Sequence, residues 1–225
     1  MTIPTFHPEG RWYRLVPSQY PPVLLFEDVV NSVDYEIAYQ IEAMTNDRLR
    51  EQEGHLGLVP EEERVFGPGT TPIMAAFTHV GHPSRFTDGS FGVYYAGNSQ
   101  ECAIHESIYN RVRILQQNHS PAEIVTMRSY NTLVNTNFDD IRGADYADCR
   151  SPDVRSYPAC QAFARQRKAT DSNGLLYLSA RYDGDCIAVF RPTALSPVTQ
   201  GAHFQFHWDG EKITGWNRIG PHHVV

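Results

Sequence analysis

The residues best suited to chemistry fall between positions 84 and 106: Ser84-Arg85-Phe86-Thr87-Asp88-Gly89, then Gly92-Val93-Tyr94-Tyr95-Ala96, then Ala103-Ile104-His105-Glu106. An arginine, an aromatic strand and a glutamate follow one another, and the glycines between them let the backbone turn sharply. That order suggests an anion site facing a carboxylate. The pairing suits a substrate that is phosphorylated at one end and must develop positive charge at the other. NAD is one such substrate.

Histidine and cysteine offer a competing chemistry. Among ten histidines, the closest pairs are His79-Val80-Gly81-His82 and His203-Phe204-Gln205-Phe206-His207. Strand alternation in the second puts Phe204, Phe206 and Trp208 on one face and His203, Gln205 and His207 on the other, the ordinary pattern of a half-solvated strand. Neither pair has the spacing of a zinc motif. The four cysteines, Cys102, Cys149, Cys160 and Cys186, include no C-x-x-C pair and read as buried small hydrophobes. A metal-dependent hydrolase built on the histidine pairs is the weaker alternative.

These residues need elements to position them. Trp12-Tyr13-Arg14-Leu15-Val16 reads as a first strand, stopped by Pro17, Pro21 and Pro22. Val33, Ile37, Ile41 and Met44 recur at helical spacing, which predicts an amphipathic helix over about 32–52. Residues 61–64 read as a charged surface turn and 67–69 as a loop. Residues 91–96 read as a strand. After the cap Ser99-Gln100, a helix presents Cys102, Ile104, Ile108 and Val112 inward and carries Glu106 on another part of its surface. Residues 123–127 read as a strand, 156–168 as a helix with Cys160, Phe163 and Ala164 inward, and 174–178 and 186–190 as strands. Asp209-Gly210 reads as a two-residue turn closing a hairpin over about 203–216. The pattern is α+β, with mixed central β-sheets flanked by helices.

Composition bounds the rest. With 225 residues, 41% of them hydrophobic, the chain builds one full core and leaves little for a second, so residues 1–225 are read as a single domain. A net charge of −7 argues against direct binding to nucleic acid. The longest apolar run near the start, Val23-Leu24-Leu25-Phe26, is too short to span a bilayer. No membrane association is expected, and the expected compartment is the cytoplasm.

The chain resembles the RES-domain family, named after an arginine, a glutamate and a serine. The resemblance rests on Tyr13-Arg14-Leu15, Ser84-Arg85-Phe86-Thr87-Asp88-Gly89, Gly92-Val93-Tyr94-Tyr95-Ala96, Ala103-Ile104-His105-Glu106, and Gly174-Leu175-Leu176-Tyr177-Leu178-Ser179-Ala180-Arg181, in the family's order over residues 13–191. Where the family often has Gly-Arg-Trp-Asn, this chain has Ser84-Arg85-Phe86-Thr87. The resemblance implies a bacterial toxin of a toxin–antitoxin pair, with a fold similar to ADP-ribosyltransferase toxins and a DNA-binding Xre-type antitoxin as partner. It also implies NAD as a substrate rather than a cofactor, cleaved between nicotinamide and ribose with water or inorganic phosphate as acceptor. A protein mono-ADP-ribosyltransferase is the alternative. Whether the chain forms a homodimer is left open.

Carried onto this sequence, the family's site falls on Arg14, Arg85, Tyr95, Glu106 and Ser179. Cleavage of the nicotinamide–ribose bond passes through an oxocarbenium-like state, so the Glu106 carboxylate is assigned to developing positive charge and the 2′-hydroxyl. Arg14 and Arg85 offer planar forks for pyrophosphate or phosphate. Tyr95 offers a ring to stack on nicotinamide, while Tyr94 faces the other side of the strand and reads as core. Ser179 offers a hydrogen bond to phosphate or the substrate amide, and it lacks the Gly-x-Ser-x-Gly setting of a nucleophile.

Overall fold

Alternating burial along β-branched and aromatic segments sets the architecture. In β8 (Thr199–Trp208) the side chains of Phe204, Phe206 and Trp208 are buried while His203, Gln205 and His207 between them are half-buried, as the alternation requires. The computed structural model describes residues 3–18 and 56–220. Within them β1 (Thr5–Phe6), β2 (Trp12–Pro17), β3 (Tyr94–Gly97), β4 (Glu123–Thr132), β5 (Phe138–Asp140), β6 (Gly174–Leu178), β7 (Asp185–Val189), β8 and β9 (Ile213–Arg218) form one sheet. Its strand order is β1-β5-β6-β7-β3-β2-β4-β8-β9. The β5–β6 pair is parallel and the other neighbours are antiparallel, so the sheet is mixed. With helices α1 (Thr71–Thr78), α2 (Gln100–Gln117) and α3 (Tyr157–Ala169) packed on it, the fold is α+β.

The sheet has a narrow seam. Six residues of β2, Trp12 to Pro17, pair with β4, and four residues of β3 pair with β7, but β2 and β3 meet at one register position, Tyr13 with Gly97. Two blocks, β1-β5-β6-β7-β3 and β2-β4-β8-β9, therefore join through a single register position. Gly97 is needed there because α2 begins immediately afterwards. A Cβ at this position would stand 2.9 Å from the Ala103 nitrogen and 3.0 Å from the Cys102 Cβ. Gly89, at φ +96°, supplies the other turn that the sequence demands.

Helix α2 starts where Ser99 caps it, its hydroxyl accepting from the Cys102 nitrogen at 3.0 Å. Its apolar face puts Ala103, Ile104 and Leu115 against Leu15, Met127, Phe204 and Phe206, with Ile108 and Val112 alongside. Helix α3 buries Cys160 and Ala164 beside Phe86, Tyr177 and Phe190. Full burial of each large side chain contributes about 1.5–3 kcal/mol, so these contacts hold both helices to the sheet.

Several details differ from the sequence reading. Helix α1, with Pro72 in its first turn, is not foreshadowed by periodicity; it is short, and Ile73, Met74 and Phe77 all enter the core. Strand β3 begins at Tyr94 rather than at 91, and β4 runs on to Thr132. The short strands β1 and β5 also went unread. The terminal hairpin turns over residues 209–212 instead of two residues. There the Asp209 carboxylate accepts from the Glu211 and Lys212 nitrogens, each at 2.8 Å, drawing both into the loop and delaying β9 to Ile213. The helix expected over 32–52 lies outside the described residues.

Candidate active site

One face of α2 meets one turn. Ser179 follows β6, and its nitrogen donates to the Gly184 carbonyl at 2.8 Å, closing the connection to β7. Its Oγ accepts from the Arg181 nitrogen at 3.0 Å and the Tyr182 nitrogen at 3.1 Å, folding residues 179–182 into a tight turn. The same hydroxyl gives its proton to Glu106 Oε1 at 2.5 Å, and the Ala180 nitrogen adds a contact at 3.3 Å. Glu106 is thereby fixed through one oxygen, while Oε2 takes no hydrogen bond among the described residues. The Tyr182 ring stacks on His105 at 5.0 Å, and the Arg181 guanidinium lies 3.6 Å from the centre of the Tyr109 ring. Ser179 acts here as the group that positions Glu106.

Arg85, only 7% exposed, is held by carbonyls. Its Nη1 donates to Cys149 O at 2.9 Å and Ser151 O at 2.8 Å, and its guanidinium lies 5.0 Å from the Tyr157 ring centre. Tyr95 fixes the loop that carries Arg85, because its hydroxyl pairs with Ser84 Oγ at 2.7 Å and accepts from the Phe86 nitrogen at 3.1 Å. Burial pushes the Tyr95 phenol up to about 12, so it stays a neutral hydrogen-bonding group near neutral pH. The hydroxyl serves the protein; the ring packs beside the cluster containing Phe86 and Tyr177.

Arg14 stands at the seam. Its Nη1 donates to Tyr95 O at 3.3 Å and its guanidinium sits 4.7 Å from the Tyr94 ring centre. Tyr94 and Tyr95 belong to different core clusters, as alternation along β3 requires, so Arg14 lies on the Tyr94 side of the strand. Its Nε and the Tyr94 hydroxyl are both buried without a hydrogen bond. Burial lowers the pKa of Arg14, and the nearby tyrosines offset this only in part. The structure therefore brings Glu106 and Ser179 into contact, places Arg85 and Tyr95 in one loop system, and turns the Arg14 side chain to the Tyr94 side of β3, where it reaches that system through the Tyr95 carbonyl.

The sequence reading did not single out Arg181, Tyr109, Arg113 and Tyr157. Arg113 lies 5.9 Å from the Tyr109 ring centre, and Tyr157 feels the charges of Arg85, Arg181 and Arg113. The spacing of Glu106, Tyr109 and Arg113 on α2 is the signal that could have found them, since residues three and four apart share a helix face. Among the described residues no carboxylate pairs with Arg14, Arg85, Arg113 or Arg181. Several other arginines are paired, Arg142 with Asp140 and Asp185, Arg167 with Asp139, and Arg191 with Glu63 and Asp171, while the buried Arg128 instead donates to His203 and Tyr130.

The second histidine pair serves other partners. His203 Nε2 accepts from Arg128 Nε at 3.2 Å, and His207 Nε2 lies 2.6 Å from Asn217 Oδ1. No group of three or more His, Cys, Asp or Glu side chains able to hold a metal occurs among the described residues. All four cysteines are buried and free, with the sulfurs of Cys102 and Cys186 3.6 Å apart. No helix among the described residues is long and apolar enough to cross a membrane.

With this geometry in place, comparison with known proteins assigns the family. A profile of the RES domain matches residues 62–209, and the chain belongs to that family. The matched span contains Arg85, Tyr95, Glu106 and Ser179; Arg14 precedes it. The chain is similar to the uncharacterized protein y4oC of Sinorhizobium fredii (strain NBRC 101917 / NGR234), with 27% identity over 221 residues covering 92% of this chain and 86% of that one. It also aligns with a chain in the crystal structure of the M. tuberculosis MbcT–MbcA toxin–antitoxin complex, at a TM-score of 0.42 and 10% identity over 96% of this chain and 86% of that chain.

Proposed function

We propose that this RES-domain protein is the toxin of a toxin–antitoxin system and degrades NAD by cleaving its nicotinamide–ribose bond. The observation that carries this reading is a glutamate fixed through one oxygen and open at the other, held by the same turn that carries Arg181, an arginine that no carboxylate pairs with among the described residues. In the proposed step the bond from ribose C1′ to the nicotinamide nitrogen breaks, and its electron pair neutralises the pyridinium. Glu106 Oε2 faces the resulting oxocarbenium charge and the 2′-hydroxyl, a placement that favours the transition state over bound substrate. Attack at C1′ by water, with loss of a proton to solvent, gives ADP-ribose. Attack by phosphate gives its 1-phosphate ester. Arg85 holds the phosphate groups and Ser179 keeps Glu106 in place, while Arg14, on the Tyr94 side of β3, supports the Tyr95 carbonyl.

Purified protein incubated with NAD, with and without inorganic phosphate, tests the proposal directly. Loss of NAD with release of nicotinamide is the expected result, and the second product names the acceptor. Intact NAD after prolonged incubation at high enzyme concentration would remove the proposal. ADP-ribose found attached to a protein would move the assignment to transferase. In cells, expression alone is expected to arrest growth and deplete cytoplasmic NAD, with an adjacent Xre-type antitoxin restoring both. Equal arrest by Glu106→Gln would give the toxicity another origin.

A further inference from the structure

Arg85 and Arg181 reach the same short strap from different elements. Arg85 donates to the carbonyls of Cys149 and Ser151, and Arg181 Nη2 donates to that of Pro152 at 2.9 Å. Neutral carbonyls satisfy donors but do not cancel charge, so two guanidinium charges flank one stretch of backbone. Arg181 is held flat on Tyr109 and keeps a buried Nε without a partner. Arg113 approaches the same ring. The Ser179 turn that fixes Glu106 also fixes the backbone of Arg181, which ties the position of this cluster to that of the carboxylate.

We infer that Arg181, stacked on Tyr109 and working with Arg85 across the 149–152 strap, is a phosphate-binding residue that sets how tightly the site takes its anionic ligand. The inference rests on the proposed NAD-cleaving function and deepens it, because the ligand would be either the pyrophosphate of the dinucleotide or a free phosphate acting as acceptor. A phosphate has enough oxygens to accept from two guanidiniums at once, and a stacked arginine loses little freedom on binding. Lysine cannot reproduce the stacked fork.

The test uses the full chain and two probes, inorganic pyrophosphate and inorganic phosphate, titrated calorimetrically into wild type, Arg181→Ala and Arg181→Lys alongside steady-state NAD cleavage. Both variants are expected to bind at least tenfold more weakly, with KM raised and kcat changed less. If the dinucleotide's pyrophosphate is the ligand, the rise falls on the KM for NAD; if free phosphate is, it falls on phosphate dependence. Should Arg181→Ala unfold, Arg181→Lys, which keeps the alkyl stem and charge, decides the matter. Wild-type binding of neither probe, or binding and KM in folded Arg181→Lys equal to wild type, overturns the inference. Wild type that binds pyrophosphate in an Arg181-dependent way but leaves NAD intact keeps the anion site and overturns the NAD reading instead.

Discussion

Two groups of arginines in this molecule live under opposite rules. Around strand β5, Arg142 lies 2.7 Å from Asp140 and 2.9 Å from Asp185, and Arg167 lies 2.7 Å from Asp139. Hydrogen bonding to Asp140 raises the pKa of Arg142, whereas burial lowers that of Arg14. The first set ties strand β5 and its following loop to neighbouring elements. The second set, Arg14, Arg85, Arg113 and Arg181, carries charge that the described residues leave uncompensated. Desolvating a guanidinium without a counter-ion costs free energy, which an anionic ligand bound there would offset. Stability and function are therefore separable, and substitutions should sort accordingly.

The largest expected effect is at Glu106. Glu106→Gln keeps shape and hydrogen-bonding capacity but removes the negative charge, so NAD turnover is expected to fall a hundredfold or more, about 2.7 kcal/mol of transition-state stabilisation. Its melting curve should stay near the parental one. Parental turnover in this variant would break the assignment of charge to the ribose side.

Next comes the opposite case. Asp139, 5% exposed, accepts from Arg167 and from Ser172 Oγ, so Asp139→Asn should cost about 2 kcal/mol of stability while activity per folded molecule is kept. Denaturant unfolding measures the first quantity and an NAD assay well below the midpoint measures the second. A loss of specific activity without loss of stability would put Asp139 in the wrong set. Arg85→Lys should weaken NAD binding roughly tenfold in the molecules that remain folded, because an ammonium cannot present two parallel donors, and should also lower stability through its lost bonds to the Cys149 and Ser151 carbonyls. Titration of both variants with NAD separates the two sets.

The fold was legible where side-chain period is strong. Strand β2, helices α2 and α3, and the β6–β7 pair follow directly from apolar spacing, and the inward face of β8 follows from its alternating aromatics. Helix α1 was not, because eight residues with an early proline leave too little periodicity to read. Of the candidate site, the arginine–tyrosine loop and Glu106 can be picked out because they sit near one another in sequence. Ser179 enters the site through family resemblance alone, with phosphate or the substrate amide as its expected partner, and its bond to Glu106 is legible only in the structure, since a serine at the end of a strand is ordinary and its partner is remote in the chain. Arg181 is the same problem in sharper form: its value lies in stacking on Tyr109, a tertiary fact. Arg14 shows the converse, a residue named from the sequence that the strand alternation turns toward Tyr94.

The smallest expected effect tests the paired set alone, through pH. Hydrogen bonds from Arg142 hold the Asp140 carboxyl below the usual carboxylate range. An unfolded chain has no such partner, so its Asp140 titrates near the ordinary value of about 3.9. As pH falls through that value the unfolded state takes up a proton that the folded state still refuses. The contribution is therefore fully present above the unfolded pKa and is lost progressively as pH drops toward the folded one. Asp140→Asn cannot titrate. The variant should be less stable than wild type at neutral pH; the gap should begin to close below about pH 4, where the unfolded carboxyl takes up its proton, and disappear only below the depressed folded pKa, where the wild-type pair loses its charge. Urea midpoints measured across that range decide it: a constant gap between the two proteins down to the lowest pH would mean that Asp140 contributes by packing, and its place among the charge-compensated arginine sites would be lost.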